Sequence, residues 1–380
     1  MPLFRWAIHR ASDILSFMSP QLTTREMQRA LSRSDTSYDG IFYAAVETTG
    51  IFCRPSCSAR NPKPQNVEFF ATPREALFSG YRACKRCRPL DTDGKPPTWV
   101  GRLLRRLEAS PAERIAAQDL RRMGVDPARA RRYFLQHHGM TFQSYCRARR
   151  LSDAFRRIRG GSSVSEVAHA SGFESESGFR SAFARVFGSS PADAKNCNPI
   201  TLSWIRTAAG PLVVGTTEEA VCLLEFSDRR MLESQLRTLR RRFNAALVPG
   251  SNRLVTALQE QLNEYFSGKR RDFSIPLSHP GTPFQEKVWS TLLGIPYGTT
   301  CSYKDVARKV GHPRAVRAVG TANGMNRIAI LVPCHRVVNS NGELGGYGGG
   351  LWRKRMLLNL ESNQRSPAPL VKYTANVPNQ

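Results

Sequence analysis

The feature of this sequence that most constrains its fold is a group of four cysteines near the amino end. Cys53 and Cys57 form one close pair, Cys84 and Cys87 form a second, and one longer loop separates the pairs. Two such pairs can supply the four tetrahedral ligands of one Zn²⁺ ion, which contributes folding energy to a domain with a thin core. The spacing therefore predicts a small zinc-stapled domain. On spacing alone, a structural zinc ribbon and a reactive thiol site both stay open.

The charge balance of the chain indicates what it binds. The 380 residues include 56 Lys and Arg against 30 Asp and Glu, a formal net charge of +26. A surplus of this size points to nucleic acid or another anionic surface and argues against an ordinary metabolic enzyme. No apolar run approaches the roughly 20 residues that span a bilayer, and the first ten residues lack the apolar core of a signal peptide. We therefore expect a cytoplasmic, nucleoid-associated protein that binds no membrane.

Turn-rich segments divide the chain into blocks, and the length predicts two to four domains. Residues 91–97 form a turn-rich linker, residues 196–199 end an Arg-rich block, and the tail after residue 361 is polar and Pro-rich, which predicts disorder. Between the last two segments, alternating and amphipathic patterns predict two strands and a helix, over 211–216, 221–226 and 230–243.

The Arg-rich block has helical periodicity. Apolar residues over 98–108 share one stripe, and further helices are predicted over 128–138, 165–170 and 176–187. Gly172 can take the positive φ of a turn between the last two helices. A helix-turn-helix that reads DNA and a bundle with a solvated basic face both stay open. Aromatic residues at helical spacing are predicted to be core: Trp99, Phe173, Phe179, Phe183 and Phe187.

A Pro-Cys-His-Arg run offers a second candidate for thiol chemistry. Cys334 and His335 follow an apolar stretch over 328–332 that is typical of a strand. Cys334 is either an activated nucleophile with His335 as base or a buried cysteine with a chance neighbour. Adjacent strand residues point to opposite faces, so direct contact between them needs a turn or a water. The remaining cysteines are interpreted as structural or incidental: Cys146, Cys197, Cys222 and Cys301.

The cysteine cluster lies in segments that resemble the amino-terminal domain of the bacterial Ada family. The matching pieces are TTGIFCRPSC at 48–57 and CKRC at 84–87. The resemblance implies one Zn²⁺ per chain, held by the four cysteines, with Cys53 as acceptor of a methyl group from a DNA methylphosphotriester. It also implies DNA-backbone contacts by Thr49, Arg60 and Arg86.

The Arg-rich block resembles the tandem helix-turn-helix domain of AraC-type activators, which is the second domain of Ada proteins. The matching pieces are SYCRARRL, VSEVAHASGF and FRSAFARVFGSSP. The residues that this resemblance places against DNA are Arg129, Arg132, Ser175, Ser177 and Arg180.

The last block resembles the O6-alkylguanine-DNA alkyltransferases. The matching pieces are FQEKVWSTLLGIPYGTTCSYKDVA, RAVGTANGMNR, LVPCHRVV and GELGGYGGG. The resemblance implies that Cys334 accepts the alkyl group, that His335 takes its proton through water, and that Glu361 polarises His335. It also implies that Tyr303 hydrogen-bonds the guanine.

Roles for four further residues are implied by the same resemblance. Asn326 orders the active-site turn, and Arg317 intercalates where the target base has left the stack. Tyr347 and Gly348 belong to the loop that closes on the base. Reaching the alkyl group requires base flipping, because the duplex hides it.

Together the resemblances imply a multidomain α+β protein. It would contain a small zinc-binding α/β domain, an all-α tandem helix-turn-helix domain, a ribonuclease H-like α/β subdomain and a winged-helix-like methyltransferase domain. The predicted boundaries are an extension at 1–24, these four domains at 25–94, 95–197, 198–279 and 280–361, and a disordered tail at 362–380.

The implied activity is that of a single-turnover methylated-DNA–protein-cysteine S-methyltransferase that uses no S-adenosylmethionine. Cys334 would accept methyl groups from O6-methylguanine and O4-methylthymine, while methylation of Cys53 would switch on transcription activation. The expected partners are alkylated and promoter double-stranded DNA and RNA polymerase, with the protein itself a monomer. The alternatives are a transcription regulator whose zinc domain is structural, with weak or no repair activity, and a repair protein without regulation.

Overall fold

The computed structural model describes residues 22–91, 97–110, 113–138, 140–196 and 198–362. Residues 1–21 of the predicted extension and residues 363–380 of the predicted tail lie outside the described residues. The described residues divide into two compact units, 22–91 with 344–362 and 97–343. Every helix among the described residues is too short or too polar to span a membrane.

The first unit contains a four-stranded sheet with a thin core. Helix α1 (Thr24–Ser32) begins behind Thr23, whose side chain accepts a hydrogen bond from the Glu26 N–H. The sheet has the order β3-β1-β2-β4, with β1 antiparallel to both neighbours and β2 parallel to β4. The elements of this sheet region are β1 (Tyr43–Val46), β2 (Ile51–Cys53), β3 (Val67–Phe70), α2 (Pro73–Phe78) and β4 (Arg82–Ala83). Its buried cluster comprises Tyr43, Ala45, Phe52 and Ala76.

The same unit includes a terminal helix, Leu351–Ser362. The Trp352 indole donates to the carbonyl oxygen of Ser37 at 2.7 Å. Arg355 forms an ion pair with Glu26 at 2.7 Å, and the Tyr38 hydroxyl donates to the same carboxylate at 2.8 Å. These contacts tie the terminal helix to α1 and to the turn that follows it.

The second unit begins with the helical block. Its helices are α3 (Thr98–Ala109), α4 (Ala117–Arg122), α5 (Pro127–His138), α6 (Phe142–Arg159), α7 (Val164–Ala170) and α8 (Glu176–Phe187). The four helices predicted here are confirmed to within one residue. Gly172 takes a φ of +72° in the turn before α8, as predicted. Trp99, Phe179 and Phe183 are buried. Phe173 and Phe187 are partly buried and pack against the cluster that contains Phe179 and Phe183, which confirms the predicted core.

A second sheet follows the helical block. It has the order β7-β6-β5-β8, antiparallel except for the parallel β5–β8 pair. Its elements are β5 (Ile200–Thr207), β6 (Gly210–Thr216), β7 (Val221–Phe226), α9 (Leu232–Arg242), β8 (Leu247–Pro249) and α10 (Arg253–Phe266). Both predicted strands and the predicted helix are therefore confirmed.

The end of the second unit contains three helices and a short parallel pair of strands. These are α11 (Pro283–Leu293), β9 (Cys301–Ser302), α12 (Tyr303–Lys309), α13 (Val316–Gly324) and β10 (Val337–Val338). The buried Trp289 of α11 donates its indole N–H to the Ala322 carbonyl at 2.9 Å, which fixes α13 against α11.

The strand predicted over 328–332 is wrong. Only Ile328 makes a β-bridge, to Leu224, and the following residues form a turn in which the Val332 N–H donates to the Ile328 carbonyl at 2.9 Å. Ile330 takes a φ of +72°, which a strand does not allow. Cys334 and His335 consequently lie in a 3₁₀ turn, Cys334–Arg336, and not on opposite faces of a strand.

Candidate functional site

The four predicted zinc ligands come together in the first unit. Cys53 ends β2, Cys57 lies in the loop after it, and Cys84 and Cys87 follow β4. Their sulfur atoms all lie within 4.8 Å of one another. A tetrahedral Zn²⁺ with bonds of about 2.3 Å places its sulfur ligands roughly 3.8 Å apart, so the donor set fits this ion.

Hydrogen bonds fix the loop that carries the first cysteine pair. Ser56 donates to the partly buried Asp39 carboxylate through its N–H, at 3.1 Å, and through its hydroxyl. The Arg54 N–H donates to the Cys87 sulfur at 3.5 Å. A hydrogen bond from Cys53 lowers the pKa of Cys87 to about 5, because the closely spaced thiols stabilise a thiolate among them. The same hydrogen bond raises the pKa of Cys53, and burial raises the pKa of Cys57 to about 11. Without a metal the thiolate is therefore favoured at Cys87, and a bound metal ion would favour it at the other sulfurs.

The cluster lies near an exposed, basic surface. Cys57 is buried, whereas Cys53 is partly exposed. The three residues predicted to contact the DNA backbone are all exposed: Thr49, Arg60 and Arg86. Arg86 donates to the Ser58 carbonyl at 3.4 Å, so its guanidinium group lies against the loop after Cys57.

The predicted contacts of the helix-turn-helix block also lie on the surface, although some have other partners. Arg129 and Arg132 are exposed on α5, and the Arg129 guanidinium lies 5.5 Å from the centre of the Trp99 ring. The Ser175 hydroxyl caps α8 by accepting from the Gly178 N–H at 3.1 Å. Ser177 is exposed in the first turn of α8.

Arg180, the last of this predicted set, carries an acidic partner on its own helix. Its guanidinium donates to the Glu176 carboxylate at 2.8 Å. Both side chains lie at the surface, where such a pair is weak and is readily exchanged for phosphate. Arg180 therefore remains a candidate contact.

Cys334 is the centre of the second candidate site and is only 6% exposed. The Asn326 amide donates to the Cys334 sulfur at 3.1 Å and to the Val332 carbonyl at 2.9 Å. Its amide oxygen accepts from the Ile328 N–H at 2.9 Å. Asn326 therefore closes the turn that carries Cys334. A donor aimed at sulfur favours the thiolate over the thiol.

Tyr303 and His335 lie at the same site. Tyr303 is the first residue of α12, and its burial, followed by the nearby charge of Cys334, raises the pKa of its phenol. The phenol therefore keeps its proton at neutral pH and can donate a hydrogen bond. His335 is fully buried beside Cys334 in the 3₁₀ turn.

Helix α13 links this site to the protein surface. Arg317 is exposed near its start, and Asn323 near its end donates to the Cys334 carbonyl at 3.4 Å. The sequence analysis missed Asn323, although its spacing of three residues from Asn326 brings both amides to one end of the helix.

Three predicted residues belong to the first compact unit: Glu361, Tyr347 and Gly348. Glu361 is fully buried on the terminal helix, Tyr347 is partly buried and Gly348 is exposed. Their roles toward Cys334 stay predictions.

Comparison with protein families assigns the separate parts of the chain. The metal binding domain of Ada matches residues 26–90, and a helix-turn-helix domain matches residues 120–196. The DNA binding domain of 6-O-methylguanine DNA methyltransferase matches residues 283–363.

The chain is also similar to a relative over almost its whole length. The bifunctional transcriptional activator/DNA repair enzyme Ada of Escherichia coli strain K12 is 33% identical over 356 residues, which is 90% of this chain and 97% of that protein. The chain belongs to the Ada family. This membership makes it a multidomain α/β protein with a zinc-binding domain, a helix-turn-helix domain and a methyltransferase domain. Its cofactor is Zn²⁺, for which the four cysteines are positioned.

Two further similarities cover the carboxyl-terminal part of this Ada-family chain. The methylated-DNA–protein-cysteine methyltransferase of Mycobacterium bovis is 54% identical over 114 residues, 30% of this chain and 68% of that protein. The solved structure of Mycobacterium tuberculosis OGT in complex with DNA is 40% identical and has a TM-score of 0.38, covering 43% of this chain and 94% of that one.

Proposed function

We propose that this chain is a bifunctional DNA repair protein and transcription activator. Cys334 accepts methyl groups from O6-methylguanine and O4-methylthymine, Cys53 accepts them from methylphosphotriesters, and methylation of Cys53 switches on activation of promoters. The observation that carries the proposal is the presence of two separate thiol sites on one chain. One is a cluster of four sulfurs, and the other is a buried thiol with an amide donor at 3.1 Å.

The reaction at Cys334 is a one-step displacement. His335 takes the thiol proton through water, and the amide of Asn326 stabilises the thiolate that results. The sulfur attacks the methyl carbon, so that a C–S bond forms as the C–O6 bond breaks and the electron pair stays on guanine. Tyr303 donates a hydrogen bond to the leaving base, because its raised pKa keeps the phenol protonated.

The buried position of Cys334 requires the target base to leave the duplex, at a cost of a few kcal/mol. Arg317 is exposed at the start of α13 and is the residue that we place in the vacated stack. Tyr347 and Gly348 close on the extruded base, and Glu361 polarises His335.

At Cys53 the chemistry suits a different substrate. Bound zinc would keep the four sulfurs deprotonated at neutral pH. Cys53 is partly exposed, so its sulfur can reach a methyl group on the DNA backbone without base flipping. A phosphotriester is neutral and does not repel the anionic cluster. Transfer leaves a thioether on Cys53 and an anionic phosphodiester, which Arg60 and Arg86 can pair with, while Thr49 contacts the backbone.

The helix-turn-helix block supplies promoter recognition in this proposal. Helices α5 and α8 enter successive major grooves, and the contacting residues are Arg129, Arg132, Ser175, Ser177 and Arg180. We further propose that the sheet of β5–β8 is ribonuclease H-like, that α12 and α13 form a winged-helix-like unit, and that the monomeric protein acts at the bacterial nucleoid with RNA polymerase.

Peptide mapping after methyl transfer tests this function. The protein is incubated with DNA that carries tritiated methyl groups on both O6-guanine and phosphate, digested, and the labelled peptides are identified. We expect label on the peptides containing Cys53 and Cys334. Label on neither peptide contradicts the proposal. If that unlabelled protein still binds a promoter, the result supports the regulator alternative.

A further inference from the structure

Arg229 makes an unusual set of contacts behind the Cys334 site. It follows β7 in the second sheet, and its side chain is only 7% exposed. Its guanidinium group donates to the carbonyl oxygen of Asn326 at 3.2 Å and to that of Gly324. Gly324 ends α13, and Asn326 lies two residues beyond it, where the turn that leads to Cys334 begins.

Arg229 is itself held in place by a buried carboxylate. Glu225, which is fully buried on β7, forms an ion pair with Arg229. Two further donors bind Glu225, since the Phe226 N–H donates to it at 2.9 Å and the Gln235 amide at 3.3 Å. A buried ion pair stabilises a fold little when its desolvation is counted, so its value here lies in fixing the guanidinium group.

The contacts of Arg229 match what the end of a helix lacks. The last carbonyls of a helix have no intrahelical partner and carry partial negative charge. A guanidinium group offers several N–H donors in a rigid plane, so Arg229 can satisfy the last helical carbonyl, that of Gly324, and the Asn326 carbonyl beyond the helix at once. Arg229 thereby fixes the backbone of Asn326 as well as the end of α13.

Strand β7 holds the backbone on the carboxyl-terminal side of Asn326. The Leu224 N–H donates to the Arg327 carbonyl at 2.8 Å, and the Ala329 N–H donates to the Leu224 carbonyl at 2.7 Å. The backbone around Asn326 is therefore held at three points by one strand and its following loop. The side chain of Asn326 in turn donates to the Cys334 sulfur at 3.1 Å.

We propose that Arg229, held by Glu225, is a positioning residue for methyl transfer at Cys334 and acts through Asn326. The inference rests on the proposed function of Cys334. Arg229 does not touch the reacting atoms; it sets the distance and direction of the amide that stabilises the thiolate. A displacement of about 1 Å at such a donor can cost on the order of 100-fold in rate.

The test measures single-turnover methyl transfer in the full chain. The variant is Arg229→Met combined with Glu225→Gln, which avoids leaving a charge buried without a partner. We expect the rate constant at saturating O6-methylguanine DNA to fall about 10- to 100-fold, while the dissociation constant for DNA stays unchanged. The control is Arg242→Met, because Arg242 also donates to a backbone carbonyl, that of Gly281 at 3.0 Å, away from the turn.

A second background separates positioning from general stability. In an Asn326→Ala protein, the Arg229→Met/Glu225→Gln change should slow transfer no further, because its effect passes through the missing amide. A further loss of rate in the Asn326→Ala background overturns the inference. So does an unchanged rate for the Arg229→Met/Glu225→Gln variant when the unmodified protein is active. Absence of transfer in the unmodified protein overturns the proposed function itself.

Discussion

Cys53 and Cys334 present the same functional group in opposite surroundings. Cys53 is partly exposed at the end of a strand and stands among three other sulfurs within 4.8 Å. Cys334 is buried in a tight turn, and a neutral amide donates to it at 3.1 Å. The comparison teaches that a thiolate can be stabilised by a metal at a wet surface or by a positioned N–H in a dry interior. The proposed substrates match the exposure of the two cysteines, since a phosphate lies on the outside of the duplex and O6 of guanine lies within it.

The two sites also differ in what supports them. The sheet beside Cys53 has a small buried cluster, so the ion supplies much of the stability of that domain. The turn of Cys334 is anchored instead by backbone hydrogen bonds to β7 and by packed helices such as α11. A substitution that destroys one site should therefore leave methyl transfer at the other site intact.

Cys334→Ser is expected to have the largest effect, the complete loss of one transfer activity with the other kept. A hydroxyl is a far weaker nucleophile at neutral pH than a thiol, so transfer from O6-methylguanine should disappear while transfer from methylphosphotriesters continues. Both are followed by label transfer on separately labelled DNA substrates. Cys301→Ser is the matched control, a partly exposed cysteine of the same unit that should keep both activities. Methyl uptake from O6-methylguanine by Cys334→Ser would place the acceptor elsewhere.

Cys57→Ala should remove the first site through its metal. Loss of one of four ligands forfeits much of a binding free energy of about 10 kcal/mol or more, so the cluster should release zinc and the cysteine loops should unfold. The contacts of the terminal helix with Glu26 and Ser37 lie away from the cysteines and should keep that helix, which carries Glu361, folded. Zinc content and circular dichroism measure this, with the adjacent exposed Ser58→Ala as control. Repair of O6-methylguanine should continue, and its loss together with the metal would argue against separate sites.

Arg317→Ala should have a smaller effect, confined to duplex substrates. Without a side chain in the vacated stack, base extrusion becomes harder by up to a few kcal/mol, so transfer to Cys334 from duplex DNA should slow by roughly 10- to 100-fold. Transfer from a single-stranded substrate, whose base needs no extrusion, serves as the control and should not change. Equal rates on duplex DNA for variant and unmodified protein would exclude the intercalating role.

The switch at Cys53 is expected to change promoter affinity by an amount similar to the loss at Arg317. Methylation converts one thiolate into a neutral thioether, so the zinc cluster carries less negative charge beside the DNA backbone. Promoter binding should tighten by about 1–3 kcal/mol, a usual coupling between two sites. Affinity is measured at one fixed salt concentration before and after reaction with methylphosphotriester DNA. Unchanged affinity would reduce the protein to two repair sites joined to a constitutive DNA binder.

Features encoded locally were predictable from the sequence. The zinc cluster follows from ligand spacing, since each pair lies within one short loop. Helix α8 was predicted with the bounds that it has, because Ser175 caps its start and Gly188 ends it with a φ of +76°. The resemblance supplied Asn326, whose amide group bonds to Ile328 and Val332 of the turn; its role in methyl transfer stays a prediction.

Features set by distant contacts were not predictable. The apolar run 328–332 has the composition of a strand, yet it becomes a turn because Asn326 bonds both of its ends and Leu224 pairs with only one of its residues. Glu225 and Arg229 gave no signal, because charged residues beside a strand are normally solvated. Only the packing of β7 against the end of α13 makes them a buried pair.

The central claim, two thiols activated in different ways, is tested most directly by removing the metal. The protein is treated with a strong zinc chelator, and methyl transfer to each cysteine is then timed in parallel on phosphotriester DNA and on O6-methylguanine DNA. The account predicts that transfer to Cys53 stops and returns when zinc is restored, while transfer to Cys334 keeps its rate. Parallel loss of both transfers, or survival of transfer to Cys53 in fully metal-free protein, would contradict it.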